Sequence, residues 1–299
     1  MVTSRTLSTR IANGLIYLIV GGVALLSLLP LLNAVAISLS SSAAASAEKV
    51  YFWPVDGTLA SYQQILRDTA YFQAFTVSVV RVLVGGVVSF VLSVLMAYPL
   101  SRDPTAFPAR RYYMWFVVFM FVFPPTLIPL YLTVNALHLL NTIWALTVPV
   151  FIFQLFNVII LMNFFRGLPR ELEEAARIDG AGPWHILWRI FVPISIPALA
   201  TITLFTAVFH WNDWFWGAVF EGNPQNWPLQ TYIQSLNFVQ LNGTALAGLD
   251  PKVLAELQKV SGLTFTDAKI IVAIIPLLIV YPFLQRYFVK GLVLGSVKE

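Results

Sequence analysis

Six stretches of the chain are apolar enough and long enough to cross a lipid bilayer, and they constrain the fold more than any other feature. They lie at about residues 11–37, 74–100, 112–134, 142–165, 194–220 and 270–288. A transmembrane helix needs about 20 apolar residues, and only helices and closed barrels satisfy their backbone in hydrocarbon. Barrel strands alternate apolar and polar residues, and these runs do not. The pattern predicts an all-α membrane protein with six transmembrane helices.

Composition excludes several other classes of protein. The chain is 58% hydrophobic and 11% charged, whereas soluble domains are about 25% charged. Its basic residues flank apolar runs, so the net charge of +4 does not indicate nucleic-acid binding. There is no cysteine, and His138, His185 and His210 lie far apart, so no metal site is predicted.

The N-terminal run requires a choice between a signal peptide and a first span. Ala45-Ser46-Ala47 resembles a signal-peptidase site. The apolar core of a secretory signal is about 7–15 residues, and the run at 11–37 is longer. We therefore interpret it as an uncleaved span.

The distribution of Lys and Arg predicts the orientation, because cytoplasmic loops are enriched in these residues. With both termini inside, twelve of the 18 basic residues are cytoplasmic. They are Arg5, Arg10, Arg102, Arg110, Arg111, Arg166, Arg170, Arg177, Arg189, Arg286, Lys290 and Lys298. This orientation places the loop at 166–193 in the cytosol and the segments at 38–73 and 221–269 outside.

The cytosolic loop carries a charged island that begins after Pro169. Proline opens helices well, acidic residues suit the first turn, and Arg177 suits the last. Glycine at Gly180 or Gly182 can end the helix, and Pro183 can begin another. The island is either an amphipathic helix on the bilayer surface or a helix that docks onto another protein.

The spacing within this loop resembles a known pattern. Glu174-Ala175-Ala176 is followed after three residues by Gly180 and after nine more by Ile190-Phe191-Val192-Pro193. This resembles the EAA loop of ABC importer permeases, E-A-A-x3-G-x9-I-x-L-P, with Val192 in place of leucine. Further matching runs are Leu39-Ser40-Ser41-Ser42, Trp53-Pro54-Val55, Ala97-Tyr98-Pro99-Leu100-Ser101, Trp211-Asn212, Trp227-Pro228-Leu229-Gln230 and the run at 280–291. The whole chain is similar to carbohydrate permeases of the maltose-transporter type, in the lipo-oligosaccharide and alginate branch.

The resemblance implies a fold, a site and a set of partners. The chain would be one permease domain, residues 1–299, with the type I ABC importer permease fold and a cytoplasmic coupling helix. The residues coupled to the ATPase would be Glu174, Ala175, Ala176, Asp179, Gly180 and Ala181. The partners would be a second related permease, two cytosolic ATPase subunits, an external solute-binding protein, an oligosaccharide substrate and the bilayer of a bacterial cytoplasmic membrane. The tail of this branch usually ends in G-x-V-K-G, and Glu299 replaces the last glycine.

The chain has no motif for hydrolysis of its own. It contains no G-x-x-x-x-G-K-[ST] phosphate loop and no nucleophile motif. We therefore expect that it is not an enzyme and has no cofactor, and that ATP and Mg²⁺ bind to the partner ATPase.

Two polar positions stand out among the spans. Arg81 is expected to snorkel towards the outer interface, with substrate contact as the alternative. The run at 211–216 is predicted to line the substrate pathway, because helical spacing pairs aromatic rings with polar groups; an interfacial aromatic belt is the alternative. The predicted pathway residues are Trp211, Asn212, Asp213, Trp214 and Trp216.

Other interpretations remain open at this point. The residues at 250–257 predict a capped amphipathic helix in the outer segment 221–269. A secondary transporter or channel would need more ionisable residues within its spans or repeated broken helices. A permease for a non-sugar solute also fits the loop pattern.

Overall fold

The computed structural model describes residues 7–241 and 262–296, with side chains described at 11–236, 262–280 and Pro282. Every regular element in these ranges is helical, so the predicted all-α class is confirmed for them. The longest helices are α1 (Leu7–Ser38), α4 (Thr69–Ser101) and α14 (Leu263–Ser296). The others are α2 (Ser42–Ser46), α3 (Ala60–Ile65), α5 (Arg110–Val122), α6 (Leu127–Ala136), α7 (Leu155–Arg166), α8 (Arg170–Ile178), α9 (Pro183–Ile186), α10 (Val192–Ile194), α11 (Ile196–Asn212), α12 (Phe215–Phe220) and α13 (Leu229–Leu241).

Four of the described helices are long and apolar enough to cross a membrane, and six spans result if two bent helix pairs each count as one. The two pairs are α5 with α6, bent by 116°, and the segment Pro183–Ile194 with α11, bent by 82°. A continuous helix was expected at 112–134, and this prediction is corrected. The helix expected at 194–220 is interrupted between Asn212, where α11 ends, and Phe215, where α12 begins, so that prediction is corrected too. Pro124 and Pro125 explain the first break, since proline has no N–H to donate and disfavours helix in the preceding residue.

The predicted span at 142–165 also differs from the structure. Turns occupy its start, a 3₁₀ helix follows at Pro149–Gln154, and α-helix begins only at Leu155. Pro149 at the start of the 3₁₀ segment fits a first helical turn, where its missing N–H costs nothing. The predicted outer helix at 250–257 lies outside the described residues.

The chain divides into two compact units, residues 1–69 with 235–274 and residues 70–234 with 275–299. In the first unit, the Asn33 side chain donates to the Tyr51 carbonyl at 2.6 Å, and the Ser40 hydroxyl accepts from the Val55 amide at 3.0 Å. Lys269 and Asp68 form a buried ion pair at 2.6 Å. The first two bonds hold the segment after α1 in place, and the ion pair joins α14 to the residue that precedes α4.

The second unit contains the main hydrophobic core. Side chains from α4, α7, the segment 183–191 and α11 form it, including Tyr98, Phe165, Ile186 and Phe191. A separate cluster joins Leu146 and Val150 to Trp216 and Phe220. The main core includes Ala176 of α8, and it therefore positions the charged island.

Candidate functional site

The charged island folds into α8 and a tight turn. Pro169 precedes the helix, as predicted, and Gly180 ends it with a φ of +82°. The Gly180 amide donates to the Arg177 carbonyl at 3.0 Å, and the Ala181 amide donates to the Ala176 carbonyl at 2.9 Å. This pair of bonds is the Schellman motif, which requires a left-handed residue that glycine adopts without strain.

One face of α8 is buried and the other is open. Ala176 packs into the core against Ile186 and its neighbours. Ile178 is 86% exposed, and Leu172 is also exposed. The other predicted coupling residues Glu174, Ala175, Asp179 and Gly180 are exposed, and Ala181 is half-buried. The turn therefore presents a small-residue apex beside an apolar side chain that has no cover within the described chain.

An ion pair fastens α8 to the end of α4. Arg102 follows the last residue of α4 and pairs with Glu173, which also accepts from Arg177 at 2.7 Å. The Arg102 guanidinium lies 4.4 Å from the Phe191 ring centre and 4.7 Å from that of Tyr98. Burial lowers the pKa of Arg102, and the Glu173 carboxylate opposes that shift. A pair enclosed by two rings holds more firmly than an exposed one.

The other charged site on α4 corrects the expectation for Arg81. Its side chain is 0% exposed, so it does not snorkel to an interface. It donates to the Asp213 carbonyl at 3.0 Å and pairs with the Asp213 carboxylate. A buried charge is stable only when it is paired, and the partner lies just beyond the end of α11. The alternative of substrate contact is not needed to explain its position.

The predicted pathway residues do not share one helical face. Helix α11 ends at Asn212 and α12 begins at Phe215, so the three-residue spacing between Asp213 and Trp216 is not helical. Trp211 is buried against Phe75, with ring centres 5.6 Å apart, and Trp216 stacks on Phe153 at 5.2 Å. The spacing argument is therefore wrong, because it assumed a continuous helix.

The same run still has an open side. Asn212 and Trp214 are exposed, while Asp213 accepts from the Phe215 and Trp216 amides at 3.1 and 3.3 Å. The Asp213 carboxylate thus joins the first turn of α12 to Arg81. A role in the pathway stays a prediction for all five residues, and Asn212 and Trp214 are the two of them that the structure leaves exposed.

Sequence reasoning missed a close contact between α4 and α11. The His210 ring lies where a Cβ on Gly85 would stand, and its Nε2 lies 3.2 Å from the Gln154 amide nitrogen. A glycine inside a long apolar helix was the available signal, because glycine there usually marks a close approach. The contact brings a buried polar group between three helical segments.

Glu221, the first residue after α12, was also missed. Its side chain is buried, and burial raises its pKa to about 7, opposed by a hydrogen bond from Asn226 and the charge of Arg81. An isolated acidic residue gives no sequence signal for such a shift.

Residues 89–293 match the family described as "Binding-protein-dependent transport system inner membrane component". The matched range contains α8, the Gly180 turn and Asp213.

Two relatives from Bacillus subtilis (strain 168) are similar over nearly their whole length. The first, "Polygalacturonan/rhamnogalacturonan transport system permease protein YtcP", is 36% identical over 98% of this chain and 100% of its own. The second, "Protein LplC", is 35% identical over 94% of this chain and 92% of its own.

A solved structure has a similar fold. It is described as the crystal structure of a bacterial ABC transporter involved in the import of the acidic polysaccharide alginate. One of its chains is 32% identical, with a TM-score of 0.80 over 95% of this chain and 98% of that chain.

Proposed function

The chain belongs to the family of binding-protein-dependent transport system inner membrane components, and we propose that it forms half of the membrane pore of an ATP-driven oligosaccharide importer. The family consists of transport permeases rather than enzymes, and the all-α fold is that of an ABC importer permease. The YtcP relative is named for polygalacturonan and rhamnogalacturonan transport, and the solved transporter is described as an importer of alginate. Both descriptions support a sugar substrate.

The importer would be completed by other chains. A second related permease would form the other half of the pore, and an external solute-binding protein would deliver the oligosaccharide. Two cytosolic ATPase subunits would bind ATP and Mg²⁺. In the orientation that the Lys and Arg bias favours, both termini and α8 lie in the cytoplasm.

The observation that supports coupling most directly is the attachment of α8. Its exposed side carries Ile178 and the Gly180 turn, while its buried side is fixed to α4 through Glu173 and Arg102. From Arg102 to Arg81 the helix α4 extends about 30 Å, at about 1.5 Å per residue. A partner that moves α8 would therefore move α4, and α4 is bonded to Asp213 at the break between α11 and α12.

This arrangement favours a permease over a secondary transporter. Arg81 is a charged residue inside a span, and among the described residues it pairs with Asp213 instead of facing a cavity. The exposed Ile178 and the small residues of the Gly180 turn offer a surface that an ATPase subunit can cover.

The test changes Ile178 to Asp in the chain co-expressed with its ATPase subunit, second permease and binding protein. Ile178 is so exposed that the fold should not change, whereas a carboxylate in an apolar docking site must be desolvated. We expect the ATPase subunit to be lost on purification, or retained at less than a tenth of the wild-type amount.

The matched control is Leu66→Asp. Leu66 is 74% exposed and lies in the segment predicted to be outside. It should retain the ATPase subunit fully. Normal retention by the Ile178 variant, together with normal uptake, would contradict docking through this turn.

A further inference from the structure

A basic cleft of about 470 Å³ lies between the end of α4, the end of α7 and α8. Two of its arginines converge on one atom. The Arg110 Nε donates to the Leu100 carbonyl at 2.8 Å, and the Arg166 Nη2 donates to the same oxygen at 3.2 Å. The two guanidinium nitrogens are therefore no more than about 6 Å apart, a distance at which like charges repel.

These two arginines differ from the other basic residues of the cleft. Arg102 and Arg177 pair with Glu173, and Arg170 pairs with Asp103 at 3.3 Å. Among the described residues, neither Arg110 nor Arg166 forms an ion pair with a carboxylate. One cation capping the last turn of α4 is ordinary, but a second at the same carbonyl is more than a cap needs.

An apolar groove of about 610 Å³ adjoins the cleft at this point. Leu100 lines the groove, its carbonyl binds both arginines, and the next residue, Ser101, lines the cleft. The groove lies between α4 and α5, and its lining includes Leu95, Tyr112 and Tyr113. Exposed tyrosines at the start of α5 are typical of the level of the lipid headgroups.

The juxtaposition selects one kind of occupant. A free anion would use the arginines and leave the groove empty, and an apolar helix would fill the groove and leave the arginines without a counter-charge. A molecule with an anionic head and an apolar tail satisfies both. We infer that this place binds an anionic phospholipid, with its phosphate between Arg110 and Arg166 and an acyl chain in the groove between α4 and α5.

The phosphate geometry follows from the donors. Each guanidinium has N–H groups beyond the one that donates to Leu100, and guanidinium forks bind phosphate oxygens in pairs. Basic pockets between helices at the cytoplasmic end are a known way of holding lipid headgroups. Because the cleft also borders Glu173, the lipid would lie beside the pair that fastens α8 to α4.

The experiment measures lipid retention by native mass spectrometry of the full-length chain in mild detergent. Phosphatidylglycerol and phosphatidylcholine with the same acyl chains are titrated separately. We expect wild-type chain to retain one phosphatidylglycerol at least tenfold more tightly than phosphatidylcholine. Arg110→Gln with Arg166→Gln should reduce phosphatidylglycerol binding roughly tenfold or more, since each basic side chain near a headgroup contributes substantially.

Three further variants make the result specific. Arg111→Gln removes the same charge from the neighbouring residue, which lines neither cavity, and should leave binding unchanged. Arg110→Lys with Arg166→Lys keeps both charges and should bind phosphatidylglycerol nearly as well as the wild-type chain. This variant tests the role of charge if the glutamine variant folds poorly. Leu95→Trp fills the groove and should weaken lipid binding without changing inorganic phosphate binding.

Several results would overturn the proposal. Equal retention of the two lipids would mean an apolar groove alone, and displacement of the lipid by inorganic phosphate at similar concentration would mean a free-anion site. An effect of Arg111→Gln as large as that of the double variant would mean only a general attraction of the basic surface.

Discussion

At the scale of single residues, the pair between Arg81 and Asp213 has the greatest consequence. Arg81 is fully buried and Asp213 is nearly so, with a side chain 12% exposed. The two are 132 positions apart, so a single sequence gives no sign that they meet. Arg81 alone suggested snorkelling, and Asp213 alone suggested a wet cavity. Each expectation placed the charged group in contact with water, whereas in the structure the two groups pair with each other.

This pair gives a prediction about stability. Asp213→Asn leaves the buried Arg81 charge without its ion-pair partner, which should cost roughly 3 kcal/mol or more. Adding Arg81→Gln removes that charge, so the double variant should unfold at a higher temperature than Asp213→Asn alone. Thermal unfolding in one detergent measures all three proteins.

The exposed pair of Arg170 and Asp103 provides the control. Its side chains are largely open to solvent, so Asp103→Asn should cost less than about 1 kcal/mol. A stable Asp213→Asn protein whose solute preference changes would contradict the structural role and favour the substrate pathway instead.

At the scale of elements, the existence of the helices could be predicted from the sequence and their breaks could not. The length of an apolar run predicts a membrane span but does not show where its helix breaks. The sequence therefore predicts one helix where the structure has α5 and α6. Pro124 and Pro125 were visible signals of a break, but apolar residues on both sides concealed it. The turn at Gly180 was predictable because proline, acidic residues and glycine occur in the order that helix ends require.

The packing of α4 against α11 gives an element-scale prediction. A Cβ on Gly85 would stand less than 3 Å from the His210 ring, so Gly85→Ala must push the helices apart and should cost about 1–3 kcal/mol. Gly86 is the next residue, and its Cβ would meet nothing within 4 Å. Gly86→Ala should be neutral or stabilising by up to about 1 kcal/mol.

The unfolding temperatures of Gly85→Ala and Gly86→Ala measure this difference in stability. A further His210→Ala change should restore part of the stability of Gly85→Ala and should not help Gly86→Ala. Equal stability of the two glycine variants would show that α4 and α11 are not in close contact in solution.

At the scale of the whole molecule, hydropathy predicts a polytopic protein, and the spacing of the EAA loop predicts its family. Both depend on patterns that are local in sequence. The attachment of α8 through Arg102 was not predictable, because Glu173 lies 71 residues further along the chain. The location of the site in the chain could thus be predicted from the sequence, whereas the ion pair that anchors it was visible only in the structure.

We propose that this chain is a permease subunit driven by a separate ATPase. The direct measurement is uptake of labelled oligosaccharides, acidic and neutral, into liposomes that contain the purified chain, its second permease and the ATPase subunits. We predict accumulation only with ATP and Mg²⁺ on the ATPase side and binding protein on the other, and neither uptake nor ATP hydrolysis with the chain alone. Accumulation by the chain alone, driven by an ion gradient and indifferent to ATP, would contradict an ATP-driven importer and indicate a secondary transporter.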